Sequence, residues 1–155
     1  MFMDNLIIQQ LINRDQIPWD ILLLADPSKE NVQKYLEKGE LYVTLLENKI
    51  IGGYIIVKKS KDIIEIKNIA VDKKYQGQGI GKRLVSDIIS RAKTNRAKRI
   101  EVGTGNSSIQ QLAFYKNCGF KVVGVDKGFF TRNYKEEIIE NGIKCVDMIQ
   151  LAIDL

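Results

Sequence analysis

The sequence contains no histidine. That absence removes imidazole general bases, histidine-activated nucleophiles and histidine metal sites together, and no metal is expected. Cysteine is scarce: Cys118 and Cys145 are the two present, without a CxxC spacing. A zinc ribbon is excluded, and a disulfide framework is not expected at this size, so both should be free thiols. Proline occurs twice, at Pro18 and Pro27, and there is no repeat, low-complexity segment or Pro/Gly-rich linker. One domain over residues 1–155 is expected. Long apolar runs are missing as well. The longest, Ile21-Leu22-Leu23-Leu24-Ala25, falls far short of the ~20 residues that cross a bilayer. The N-terminus carries Asp4 and shows neither a basic lead nor a small-residue cleavage site. It reads as lacking a signal peptide, so a cytoplasmic location and no membrane partner are expected.

What is present is a globular composition, 45% hydrophobic and 28% charged, sufficient for a self-supporting core. Lys and Arg number 24 against 19 Asp and Glu, a formal charge of +5 and a pI near 9.1. That balance favours an anionic partner, either nucleic acid or a phosphorylated cofactor, and local placement has to decide between these and a merely solvated basic surface.

The spacing predicts a short helix from Trp19 to Asp26, with Pro18 in its first turn, and a second from Lys29 to Lys38, capped by Ser28 and ending at Gly39. Strands are predicted at Leu41 to Leu46, Ile50 to Val57 and Ile63 to Val71, joined by the turns Glu47-Asn48-Lys49 and Lys58 to Asp62. Short connections make these an antiparallel meander. Ile80, Leu84, Val85, Ile88, Ile89 and Ala92 then recur at helical spacing, which predicts a helix over Gly79 to Asn95. A strand at Ile100 to Gly103, a helix at Ser107 to Asn117, a strand at Phe120 to Val125 and a last strand at Lys144 to Ile153 complete the pattern. The fold class is mixed α/β with a central sheet, parallel where helical crossovers lie.

Between the third strand and the long helix runs Val71-Asp72-Lys73-Lys74-Tyr75-Gln76-Gly77-Gln78-Gly79-Ile80-Gly81-Lys82-Arg83. A strand, a glycine turn and a helix start make an anion site, because free N–H groups converge where the backbone can bend closely around a ligand. Lys73, Lys74, Lys82 and Arg83 surround it with positive charge. The dinucleotide pattern G-x-G-x-x-G fails at Lys82, and the Walker pattern fails on both glycine spacing and Arg83.

Gln76-x-x-Gly79-x-Gly81, preceded by Ile69-Ala70-Val71-Asp72, resembles the signature of the GNAT superfamily of N-acetyltransferases. The block from Asn106 to Phe120, with Ala113-Phe114-Tyr115-Lys116-Asn117-Cys118-Gly119, resembles that family's second block, and the order of elements agrees over essentially the whole chain. The stretch from Phe129-Phe130 to Glu140-Asn141-Gly142-Ile143 looks like a subgroup of small bacterial members. The resemblance implies an antiparallel meander followed by β-α-β-α-β in three layers, with parallel strands that splay. It also implies acetyl-CoA as cosubstrate. The pyrophosphate would meet the backbone of Gln76, Gly77, Gln78, Gly79, Ile80, Gly81 and Lys82, and the pantetheine arm would pair with Ile69, Ala70 and Val71. Asn106 matches a position that helps hold the cofactor arm; a helix N-cap explains it equally well.

Direct transfer then implies two proton steps: an amine must lose a proton before it attacks, and a thiolate is best released with one supplied. Tyr115 matches the position that commonly supplies the second. Helical spacing sets it beside Ser108 and Gln111 on a polar side, with Phe114 pointing elsewhere. Glu65 matches a position that is acidic in several branches and is the candidate base; the alternative is a strand carboxylate paired with Lys67. Asp126, Glu136, Glu137 and Glu140 either receive a cationic amine or form a solvated face. The implied acceptor is a primary amine of a small molecule or peptide, approached through variable loops at 11–38 and 124–143. A homodimer is the assembly the resemblance suggests. A non-catalytic acyl-CoA-binding module is the alternative function, against which Tyr115 argues. Nucleic acid fits less well, because the cations gather at the glycine loop, although Arg91 to Arg99 is a basic run.

Overall fold

Glu47 and Asn48 turn the chain with positive φ, 50° and 67°. A two-residue turn of that hand matches the twist of the strands it joins, so the β-branched runs on either side fold into a hairpin. A computed structural model describes residues 2–155. Its elements are β1 (Leu6–Gln10), α1 (Trp19–Ala25), α2 (Lys29–Lys38), β2 (Gly39–Leu46), β3 (Lys49–Lys58), β4 (Ile63–Val71) and α3 (Ile80–Thr94). These are followed by β5 (Arg99–Gly105), α4 (Ile109–Asn117), β6 (Lys121–Asp126), α5 (Phe129–Asn133), β7 (Ile139–Glu140), β8 (Ile143–Lys144) and β9 (Met148–Asp154).

Seven strands form one sheet in the order β1-β2-β3-β4-β5-β9-β6, and β7 and β8 make a separate hairpin. The meander has four strands rather than three. β1 escapes periodicity analysis because Leu6 is its one buried residue. The expected parallel half is also smaller. Among the described residues only β4 and β5 pair in parallel; β9 inserts between β5 and β6 and runs antiparallel to both. The crossover through α4 therefore skips one place in the sheet, and the last strand fills it. That strand starts at Met148 rather than Lys144, which belongs to β8.

Two cores flank the sheet. On one face α3 and α4 bury Ile80, Leu84, Ile88 and Tyr115 against Tyr54, Ile66, Ile100 and Leu151. On the other, α1 and α2 bury Leu22, Val32 and Leu36 against Leu41, Val43 and Ile55. Ser28 caps α2 as expected, its hydroxyl accepting from the Asn31 amide at 3.2 Å. Gly39 ends that helix in extended backbone, not the left-handed form. A Cβ there would lie 2.7 Å from the Ile56 carbonyl, so the glycine is required by close approach.

One irregularity positions the site. Ile55 pairs with Asn68 while Ile56 pairs with Ile66, so Lys67 is an extra residue in β4. Such a bulge reverses the facing of the residues beyond it. Ile64 and Ile66 before it, and Ile69 and Val71 after it, therefore all join the α3 side. Asn68 turns the opposite way, donating to the Leu22 carbonyl and the Tyr35 hydroxyl, each at 3.0 Å.

Candidate active site

The parallel pair is half zipped. β4 and β5 hold register from Ile63–Arg99 to Ile66–Val102, and beyond those four pairs they part. The edge of β4 from Asn68 to Val71 is thus paired to β3 but not to β5. The glycine loop begins where this edge ends. Gly77 and Gly79 take positive φ, 77° and 88°. Gly79 occupies the N-cap of α3 without a side-chain cap, which leaves the first amides of the helix for a ligand. Gln76 turns its side-chain amide back to donate to the Val71 carbonyl at 2.9 Å, fixing the loop on the strand. Gly81 differs: a Cβ there would meet the Phe114 ring at 3.4 Å, an ordinary contact, so packing does not demand a glycine at this position. A cleft of about 440 Å³ lies here, lined by Val71, Gly79, Lys82, Phe114 and Cys118 among others. Lys73, Lys74, Lys82 and Arg83 are exposed around it.

Tyr115 lies at the bottom of the opening. The helical spacing placed it on a polar side; in fact its side chain is buried and its ring meets Phe114 and Phe120 edge-on, at 5.2 and 5.5 Å. The position is still consistent with chemistry. Tyr115 lines a small cavity of about 50 Å³ between β4 and β5 with Ile66, Asn68, Gly103 and Gln111. None of the hydrogen bonds among the described residues involves its hydroxyl. Burial pushes the phenol well above its usual range, with the nearby Cys118 thiol adding to the shift. Tyr115 is therefore a neutral hydroxyl at any working pH.

On the opposite face Glu65 stands in register with Glu101. Its carboxylate is 2.9 Å from Lys67, the strand pairing weighed from sequence. Glu101 takes Lys59 at 2.6 Å and Arg99 at 3.1 Å, and Lys59 is the main cause that holds its carboxyl below the usual range. Glu65 and Glu101 line a pocket with Gly103 and Met148. Gly103 and Met148, but not the two glutamates, also line a larger cavity of about 320 Å³, together with Asp26, Phe130, Tyr134 and Glu140. That cavity also shares Ala25, Lys67, Gly103 and Gln111 with the small one beside Tyr115. The two faces of the sheet thus communicate at the parting of β4 and β5.

Asn106 does not cap α4. Ser108 holds the cap position. The Asn106 side chain instead accepts from the amides of Val146 and Asp147, at 2.9 and 3.0 Å, and donates to the Lys144 carbonyl at 3.2 Å. It ties the β5–α4 turn to the segment that leads into β9. The acidic residues of the C-terminal third separate. Asp126 pairs with Arg132 at 2.7 Å and Glu137 with Lys144 at 3.9 Å. Glu136 lines an outer groove. Glu140 faces the 320 Å³ cavity and accepts from the buried hydroxyls of Ser107 and Ser108, at 3.3 and 2.8 Å. Asp26 and Tyr134 were missed in the sequence reading. The Tyr134 hydroxyl donates to Asp26 at 3.0 Å, and Tyr35 donates to it at 3.3 Å. These partners are far apart in the chain and follow no motif. The basic run is partly spent internally: Arg91 pairs with Asp87, bonds the Ile8 carbonyl and lies over Tyr42.

The comparisons agree with this arrangement. The Acetyltransferase (GNAT) family profile matches residues 7–120. The N-acetyltransferase YvbK of Bacillus subtilis (strain 168) is 50% identical over 137 residues, 88% of each chain. A GNAT family acetyltransferase from Elizabethkingia anophelis, solved with acetyl-CoA bound, has a TM-score of 0.95 at 48% identity, over 98% of this chain and 99% of its own. A Bacillus subtilis acetyltransferase in complex with CoA gives 0.91 at 47% identity, over 97% and 99%. With a profile spanning most of the sheet and close relatives over nearly the full length, the chain belongs to the GNAT family of N-acetyltransferases.

Proposed function

We propose that this N-acetyltransferase moves the acetyl group of acetyl-CoA directly to a primary amine, across the opening between β4 and β5. The observation that carries the reading is the half-zipped pair: a free strand edge ends in an uncapped helix N-terminus, with a buried tyrosine between. The pyrophosphate sits on the backbone from Gln76 to Lys82, where N–H groups converge. The pantetheine arm lies along Ile69, Ala70 and Val71 as an added strand. Asn106 acts at a remove, by holding the segment behind the acceptor cavity.

The amine approaches from the face of α1 and α2. Its ammonium first gives up a proton to Glu65 through solvent, since the Glu65 carboxylate already holds Lys67. The nitrogen then attacks the thioester carbonyl; the C–N bond forms as the C–S bond breaks, the nitrogen gives its second proton to solvent, from which Tyr115 later regains one, and the sulfur departs as thiolate. Tyr115 donates to that sulfur as its charge grows. Because burial disfavours the phenolate, the hydroxyl works as a hydrogen-bond donor whose proton moves late.

Calorimetry with acetyl-CoA, followed by free-thiol detection over an amine library, tests the reading. Binding with amine-dependent thiol release is expected, the product amine gaining one acetyl group. Binding without thiol release for any amine would favour the non-catalytic acyl-CoA module. No binding would remove the anion-site reading altogether.

A further inference from the structure

We infer that the acceptor is a small amine carrying a second positive charge, with Glu140 as the residue that selects it. This rests on the acetyl-transfer reading above and narrows it. The cavity of about 320 Å³ next to the opening contains two carboxylates, Asp26 and Glu140. Neither has an ion-pair partner among the described residues, and the cavity's one lining cation, Lys67, is engaged by Glu65. In a chain of net charge +5, negative charge is therefore uncompensated at the place the acceptor must occupy.

Both carboxylates are fixed in position. The buried hydroxyls of Ser107 and Ser108 converge on one oxygen of Glu140, leaving the other free. Asp26 is held by Tyr35, Tyr134 and the Ser28 amide. The wall between them is aromatic: the rings of Phe130 and Tyr134 stack at 5.4 Å, 30° apart. Stacked rings attract a cation at their faces and repel an anion, which is an independent mark of the same ligand charge. The reacting ammonium enters past Asp26 and loses its proton before attack, while the distal charge stays against Glu140.

The same contacts argue for a small molecule over a polypeptide. Tyr134 and Asp26 join the segment after α5 to the α1–α2 turn across the cavity, 108 positions apart in sequence. A peptide would need those two segments separate so that its chain could leave between them.

The experiment compares a five-carbon α,ω-diamine, n-pentylamine and a neutral-side-chain tripeptide as acceptors. The diamine should exceed pentylamine in kcat/KM by roughly 10–100-fold, the scale of one hydrogen-bonded charge contact. Glu140→Gln, which still accepts from both serines, should shrink that ratio toward one; its melting curve reports whether it folds. Equal rates for diamine and monoamine, a ratio unchanged in Glu140→Gln, or a preference for the tripeptide would each overturn the inference and leave acetyl transfer standing. If no amine is turned over, the transfer reading fails. Calorimetric titration of the diamine into the CoA-bound protein then decides the cavity: measurable binding weakened by Glu140→Gln supports the inference, and no heat overturns it.

Discussion

The proposed mechanism asks one aromatic ring, Tyr115, both to pack and to react. Its edge contacts with Phe114 and Phe120 serve the core, and its hydroxyl is the proposed donor. Tyr115→Phe separates the two. The ring stays, so acetyl-CoA affinity should hold, while the chemical step measured in single turnover should slow by roughly 10²–10⁴-fold. The raised phenol sets the pH dependence. A donor whose ionisation lies above the usual ~10 stays protonated through the assay range. The rate should therefore rise as the amine deprotonates and show no alkaline fall from Tyr115 below about pH 10; a descending limb near pH 8 that vanishes in Tyr115→Phe would contradict the assignment. Asn68 is the structural counterpart. Its amide satisfies a buried carbonyl of α1 and the Tyr35 hydroxyl. Asn68→Ala strands that carbonyl and should cost about 1–3 kcal/mol in urea unfolding.

Among elements, the glycine loop and α3 were legible because their information is local: a strand, three glycines and an apolar stripe are contiguous in sequence. β4 was legible at both ends for the same reason. Its bulge was not, since nothing in Ile66-Lys67-Asn68 says which residue is left over; that is decided by pairing with β3. The separation of Glu140 from Asp126 and Glu137 was hidden likewise, because Ser107 and Ser108 meet it from 33 and 32 positions away. β9 was misjudged in extent because β8 carries the same kind of residues and differs in partner. The loop yields its own expectation. Gly79→Asp brings negative charge to the proposed pyrophosphate position, and calorimetry should show acetyl-CoA binding abolished. The positive φ adds a folding cost of about 1 kcal/mol, so the melting temperature should fall by a few degrees rather than stay fixed.

Across the whole molecule, Cys118 and Cys145 are both free thiols, and denatured, unreduced protein should titrate with two reactive groups. The sheet has a larger asymmetry. β1 to β4 form one continuous block, and β5, β9 and β6 form another in which β5 shares seven residue pairs with β9. Four pairs between β4 and β5 are what join the blocks within the sheet. The join is a seam, and a ligand lying along its open end would act as a staple. Hydrogen exchange should then show the amides of Ile64 to Ile66 and Ile100 to Val102 slowing on addition of acetyl-CoA, while the β2–β3 hairpin is unchanged. A cosubstrate that stiffens the seam also makes its own departure a loosening of the molecule, so turnover and breathing of the sheet share one coordinate.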